Sequence, residues 1–328
     1  MSITRKSKFQ LRKRLQNYII GLPGYEKSQI RYCGFRNDEP FKVHLRIHQD
    51  QLGNIFRGVY FKGFQTCGSI FCPVCSALIK TYRANELNTF CKAWSGSIYF
   101  LTFTISHGKT DRLEKVFSVL KKAYRNFFWN DASKRILGHV DGTVRSFEVT
   151  RTTNGWHPHI HTLLFLPESF SFSDDGISKL QQIWARTVNR AGGQADPDIG
   201  LSVQRGDNAA SYICKLGSEL QGQECKDSCD FLQLLVDRKK SLVQEYLTTL
   251  KGVRWLRWSK GLRSMFPKPE LTDDEIVAGG MWGFNKQELK ISQLTLNFFE
   301  DVFLTSDVDG HGRDLLVDLF NNRTGKMF

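Results

Sequence analysis

Three of the chain's eight histidines, His157, His159 and His161, take alternate positions in the stretch "NGWHPHIHTLLFL" (154–166). Imidazole is the side chain that serves both as a proton carrier near neutral pH and as a metal ligand. A strand repeats every two residues, so alternation aims all three rings at one face and sends Trp156, Pro158 and Ile160 to the other. Asn154-Gly155 is a strong signal for a two-residue hairpin turn. With those two at the turn, His161 faces Glu148 and His159 faces Thr150, and directly opposed Cβ atoms lie about 4.5–5.5 Å apart. Two imidazoles and a carboxylate, with room for water, suit one divalent cation. His159, His161 and Glu148 are the expected ligands, and His157 is a further candidate.

A second set is built from sulfur. The chain has eight cysteines. Cys67-x4-Cys72-x2-Cys75 is tightly spaced, and Cys33 completes four thiolates, the set that structural zinc prefers. His44 and His48, an H-x3-H pair, offer a substitute for one thiolate. Four thiolates leave no open coordination position, so this Zn²⁺ site reads as bracing or DNA-contacting, not catalytic. Cys91, Cys214, Cys225 and Cys229 read as structural. A third set is Tyr212, Lys215 and Glu219, near one face of a helix by their i, i+3, i+7 spacing. A tyrosine beside a metal can attack phosphorus, and a metal polarises the scissile phosphate. Lys215 would neutralise that phosphate or lower the phenol's pKa.

These sets need elements to hold them. "SIYFLTFTIS" (97–106) reads as a strand. Apolar residues at helical spacing give a helix over 111–129. "TVRSFEVTR" (143–151) and 157–166 are strands, 177–191 is an amphipathic helix, 200–205 a short strand, and 208–220 a helix capped by Asn208. The order β-α-β-β-α-β predicts an α+β fold, a ferredoxin-like split βαβ antiparallel sheet. The organisation expected is a basic arm at 1–30, partly disordered or a short helix, and a zinc-binding module at 31–94. A domain holding the histidines and Tyr212 follows at 95–220, then a helical connector and C-terminal region at 221–328.

The formal net charge of the 328 residues is +13. An excess of that size favours a polyanionic partner, most commonly nucleic acid. Basic residues gather near the start (Arg5 to Arg14) and again at Arg254, Arg257, Lys260 and Arg263. In the second cluster they interleave with Trp255 and Trp258, as on surfaces that hold phosphates and stack bases. A helix with its tryptophans in the core fits that segment equally well. No run of eighteen apolar residues implies a membrane span, and no signal peptide is read, so a cytoplasmic protein without a membrane partner is expected.

The strand "FLTFT" (100–104), "EVTRTTNGWHPHIHTLLF" (148–165) with His159-Ile160-His161, and "YICK" (212–215) together resemble the HUH endonucleases. More closely, with "CGSIFCPVC" (67–75) and "WSKGLR" (258–263), they resemble rolling-circle plasmid replication initiators of the single-tyrosine type, over roughly 33–263. The resemblance implies that Tyr212 nicks plasmid origin DNA, single-stranded at the nick site. A 5′-phosphotyrosine and a free 3′-hydroxyl primer result, with Mg²⁺ or Mn²⁺ on the two histidines and a carboxylate. Host helicase and DNA polymerase would be partners. Some relatives carry an acidic residue four positions before the tyrosine; here that position is Asn208, with Asp207 and Glu219 as substitutes. A zinc deaminase is excluded because its H-x-E precedes the cysteines, whereas here the histidines follow them. A transposase or mobilisation relaxase would keep the chemistry. A non-enzymatic zinc-dependent DNA-binding regulator would explain the charge and the cysteines but not the histidine hairpin.

Overall fold

The computed structural model describes residues 5–35, 42–49, 55–206, 228–265, 270–278 and 286–288. Along the chain, α1 (Arg5–Ile19) is followed by β1 (Lys42–Gln49), β2 (Ile55–Lys62) and α2 (Cys75–Ala93). Then come β3 (Ser97–Phe103), α3 (Leu113–Trp129), α4 (Asp131–Leu137), β4 (Gly142–Thr152), β5 (Gly155–Leu166), α5 (Asp174–Ala191) and β6 (Leu201–Arg205). After the described part resumes come β7 (Ser228–Cys229), α6 (Phe231–Val236), α7 (Lys240–Leu250), β8 (Leu256–Trp258), α8 (Asp273–Val277) and β9 (Lys286–Glu288). The chain divides into two compact units, one of Lys80–Glu270, the other of the described residues within 2–79 and 271–328. The fold is mixed α+β.

The first unit is a sheet of antiparallel pairs in the order β6-β3-β5-β4-β7, with β8 also paired to β4. Its central strand β5 ends in Thr162-Leu163-Leu164-Phe165-Leu166, all buried, as a strand covered on both faces must be. One face carries Leu101, Phe103, Ile160 and Leu164 against Leu120, Phe127 and Trp184 of α3 and α5. The other carries Phe100, Val144, Leu163 and Phe165 against Leu87, Phe90 and Leu262. Both covering helices are amphipathic at the helical period. In α3 the buried positions are 113, 116, 117, 120, 123, 124 and 127. α5 starts at Ser173, whose side chain accepts from Gly176 N–H, and stops at Gly192 in the left-handed region.

The first turn of α3 has no side-chain cap of its own. Glu245 of α7 supplies one from elsewhere in the chain: Oε1 accepts from Leu113 N–H at 2.8 Å, and Oε2 from Trp156 Nε1–H at 3.1 Å. One carboxylate thus ties a helix start to the histidine hairpin and sits where the helix dipole favours negative charge. Arg263, with Glu86, forms an ion pair whose side chains are 12% and 2% exposed. The tryptophan-rich segment is a strand, not a helix. β8 adds to the edge of β4, Trp258 packs edge-on against Phe90, and Arg254, Arg257 and Lys260 are exposed.

The second unit has a three-stranded sheet, β2-β1-β9. Within it α1 is a 15-residue helix that buries Leu11, Leu15 and Ile19. Its basic residues do not all face water: Arg12 is buried beside Cys33, while Lys13 is exposed. α8 opens with a full capping box between Thr272 and Glu275.

Candidate functional site

The histidine hairpin forms, but with a shifted register. Glu148 pairs with His159, Thr150 with His157 and Ser146 with His161. This corrects the expectation that His161 faces Glu148 and His159 faces Thr150. A turn of type I′ on Asn154-Gly155 needs positive φ at both residues. Only Gly155 has it, at 103°; among the described residues the only non-glycine with positive φ is Arg238. The turn therefore covers Thr153-Asn154, and Gly155 pairs with Thr152 as the first residue of β5. A Cβ on Gly155 would also lie 2.5 Å from the Gly108 carbonyl oxygen. The shift is two positions, so every side chain keeps its face.

That parity gathers the expected groups. Although Glu148 lies opposite His159, its Oε2 is 2.7 Å from His161 Nε2. The other ring nitrogen, Nδ1, is 3.1 Å from Thr102 Oγ1 on β3, and the ring stacks on Phe100 at 5.4 Å. His159 is stacked with His161 at 5.8 Å and lies 4.0 Å from His157. His157 Nε2 is 3.1 Å from Thr104 Oγ1. The row continues to His107, whose ring is 4.7 Å from that of His157. Sequence reading passed over His107, Thr102 and Thr104, because only strand pairing brings 102–107 beside 157–161.

Burial, then the neighbouring His157, pushes the pKa of His159 down to about 3. Burial also lowers His157, followed by His107. Both rings are therefore neutral near pH 7, the form that ligates metals. His159 Nδ1 is buried without a hydrogen-bond partner, an unusual state for a buried polar nitrogen. A divalent cation on this face fits such donors. The three groups are nevertheless not drawn into a preformed cage: among the described residues, the only set with all ligand atoms within 4.8 Å is Cys33, Cys67, Cys72 and Cys75.

Pro158 explains how the row stays at the sheet's open end. Proline cannot donate to a ladder. Pairing of β5 with β3 stops at Ile160, so Pro158 lies in an overhang with β4 as neighbour. A further carboxylate, Asp230, caps α6 and is close enough for its charge to interact with Glu148; burial raises its pKa. Tyr212, Lys215, Asp207 and Glu219 lie outside the described residues.

The cysteine set is compact. Cys33 Sγ is 3.7 Å from both Cys72 and Cys75, and Cys67 is 3.6 Å from Cys75. A tetrahedral zinc with Zn–S bonds of about 2.3 Å has S···S edges of about 3.8 Å, so the spacing suits that ion. None of the four is in a disulfide. Hydrogen bonds from Cys67, Cys72 and Cys75 push the Cys33 pKa down, while the same crowding raises Cys67 and Cys72. Four thiols this close can all ionise only against a cation. Gln16 of α1 positions Cys33 by donating from Nε2 to the carbonyls of Ile30, Arg31 and Cys33. Gly68 turns at positive φ with Asp274 of α8 packed where a side chain would stand.

No helix among the described residues is long and apolar enough to cross a membrane. Residues 59–278 match the family described as "Replication protein". A stretch of the chain is 32% identical to "Protein rep" of Streptomyces lividans, covering 32% of this chain and 30% of that protein. The chain thus spans under a third of that relative's length. No solved structure matches significantly.

Proposed function

The chain belongs to the replication protein family, and from that premise we propose that it initiates rolling-circle replication of a plasmid by nicking origin DNA. The observation that carries this reading is the cluster on one face of the sheet. Glu148 and His161 are in hydrogen-bond contact beside His159, whose Nδ1 is buried and unpartnered. The sheet order supports the ferredoxin-like HUH reading: the strands of a split βαβ unit, taken here as β3, β4, β5 and β6, lie as β6-β3-β5-β4 with every neighbour antiparallel.

Glu148, His159 and His161 would hold Mg²⁺ or Mn²⁺, which would supply charge stabilisation at the scissile phosphate. Tyr212 is the nucleophile in this reading. Its phenolate oxygen forms a bond to phosphorus as the bond to the 3′ oxygen breaks, leaving a 5′-phosphotyrosine and a 3′ oxygen that takes up a proton to become the free hydroxyl. Lys215 offsets phosphate charge. Asp207 or Glu219 would serve as base in a terminating cleavage. Thr102 fixes the orientation of His161, since the hydrogen bond on one ring nitrogen sets the role of the other. The four cysteines would hold structural Zn²⁺. Arg254, Arg257 and Lys260 present exposed cations for DNA, while Arg263 is engaged with Glu86. Host helicase and DNA polymerase would act on the nicked origin.

The test uses labelled single-stranded oligonucleotides tiling the origin, with Mn²⁺ or EDTA, read on a denaturing gel. A metal-dependent protein–DNA adduct is expected, lost in Tyr212→Phe. An adduct that survives the substitution would move the nucleophile elsewhere, with Tyr246 the next candidate. DNA retained without cleavage would favour a binding regulator.

A further inference from the structure

The sheet unit has a cationic feature on the face opposite the histidines. Glu148 faces the histidine row; Arg145 and Phe147, at the alternate parity of β4, face α3. There a cleft of about 780 Å³ opens between α3, β4 and β8. Five cations line it: Lys121, Lys122 and Arg125 from α3, Arg145 from β4 and Arg257 from β8. Among the described residues no aspartate or glutamate lines it. Among the described residues none of the five has an ion-pair partner.

Two details make this more than a solvated surface. Arg145 and Arg257 are directly opposed in the β4–β8 ladder, and opposed like charges destabilise a sheet on their own. Arg145 Nε is also buried with no hydrogen-bond acceptor. Both are unfavourable in isolation, and a bound anion would relieve both. The aromatic content selects among anions. Trp129 is 74% exposed at the cleft's rim. Phe128 also lines it, and the Arg145 guanidinium lies 5.1 Å from the centre of the Phe147 ring. Cations along a groove with exposed rings are the pattern that tracks a backbone and stacks unpaired bases. The volume is of the order that encloses one small organic molecule, room for roughly one or two nucleotides.

We propose that this cleft binds an unpaired nucleic-acid strand, with phosphates at Arg145, Arg257, Lys122 and Arg125 and a base on Trp129. The inference deepens the replication-initiator reading by giving the displaced or nicked strand a second holding place, apart from the histidine cluster.

The experiment measures binding of the full chain to a fluorescent oligothymidine of roughly 16 nucleotides, by anisotropy, across a salt series. Lys122→Ala/Arg125→Ala removes two exposed cleft cations, and Arg186→Ala/Arg190→Ala removes two exposed cations from α5 outside it. Trp129→Ala is made separately. For two phosphate contacts the slope of log affinity against log salt should flatten by about 1.4 in the cleft pair, and much less in the α5 pair. Trp129→Ala should weaken binding at least about fivefold with little change in slope. Equal losses in the two charge pairs, with no effect of Trp129→Ala, would overturn the cleft and leave origin nicking untouched. Tighter binding of the matching duplex would also overturn it. Failure of the wild type to bind any strand would sink the replication reading together with the cleft.

Discussion

Thr102 hydroxyl oxygen, 3.1 Å from His161 Nδ1, is the smallest group on which the proposed cation site depends. It fixes which nitrogen meets Glu148. Thr102→Val keeps shape and strand propensity but removes the hydrogen bond. Mn²⁺ affinity, by calorimetric titration, is expected to fall about 10–100-fold, while thermal stability changes little. Unchanged Mn²⁺ affinity would relieve Thr102 of that role. His159 shows why a residue list underdetermines a site. Its type and parity can be read from the sequence, but its burial and unpartnered nitrogen come from packing.

At the scale of elements, the hairpin separates what pattern reveals from what it hides. Alternation in 157–166 and the helical periods of α3 and α5 are legible because each reports a face buried against the core. Register is not, because it depends on which residue takes positive φ. Gly155 does so as the first residue of β5 and not inside the turn, next to a backbone carbonyl that leaves no space for a side chain. Gly155→Ala should lower unfolding free energy by about 1–3 kcal/mol, read as a reduced urea midpoint. A wild-type midpoint would mean that the 103° conformation is not required. α4 went unpredicted because its seven residues are too short for a periodic signal; its Asn130 cap, accepting from Ala132 and Ser133, was the cue available. β8 read equally well as a helix because its tryptophans gave no period. The cap that Glu245 places on α3 joins residues 132 positions apart. No local pattern carries such a contact.

For the whole molecule, the composition reading anticipated a polyanionic partner, and its location depends on which cations the fold leaves unpaired. Arg12 and Arg263 are turned inward, whereas Arg145 and Arg257 face each other without a carboxylate. The cysteine unit lends itself to a separate test. Binding of structural zinc supplies on the order of 10–16 kcal/mol of folding free energy. Stripping the metal with a chelator should expose Arg5–Arg14 of α1 to trypsin, followed by mass spectrometry, while fragments of Lys80–Glu270 stay protected. Full protection of α1 in protein shown to be metal-free would rule out a structural metal.

The cysteine unit draws on both ends of the described chain: Cys33 to Cys75 early, and the Asp274 that packs over Gly68 late. A ribosome adding roughly 5–20 residues per second finishes Cys75 about 10–40 s before Leu271. During that interval the nascent thiols have left the exit tunnel, but the strand and helix that complete their unit have not been made. The sheet unit, contiguous over Lys80–Glu270, can close first. A message cut short before codon 271 would thus yield a histidine cluster whose cysteine partner unit lacks α8 and β9, so completion of the cysteine unit waits on translation of the late segment.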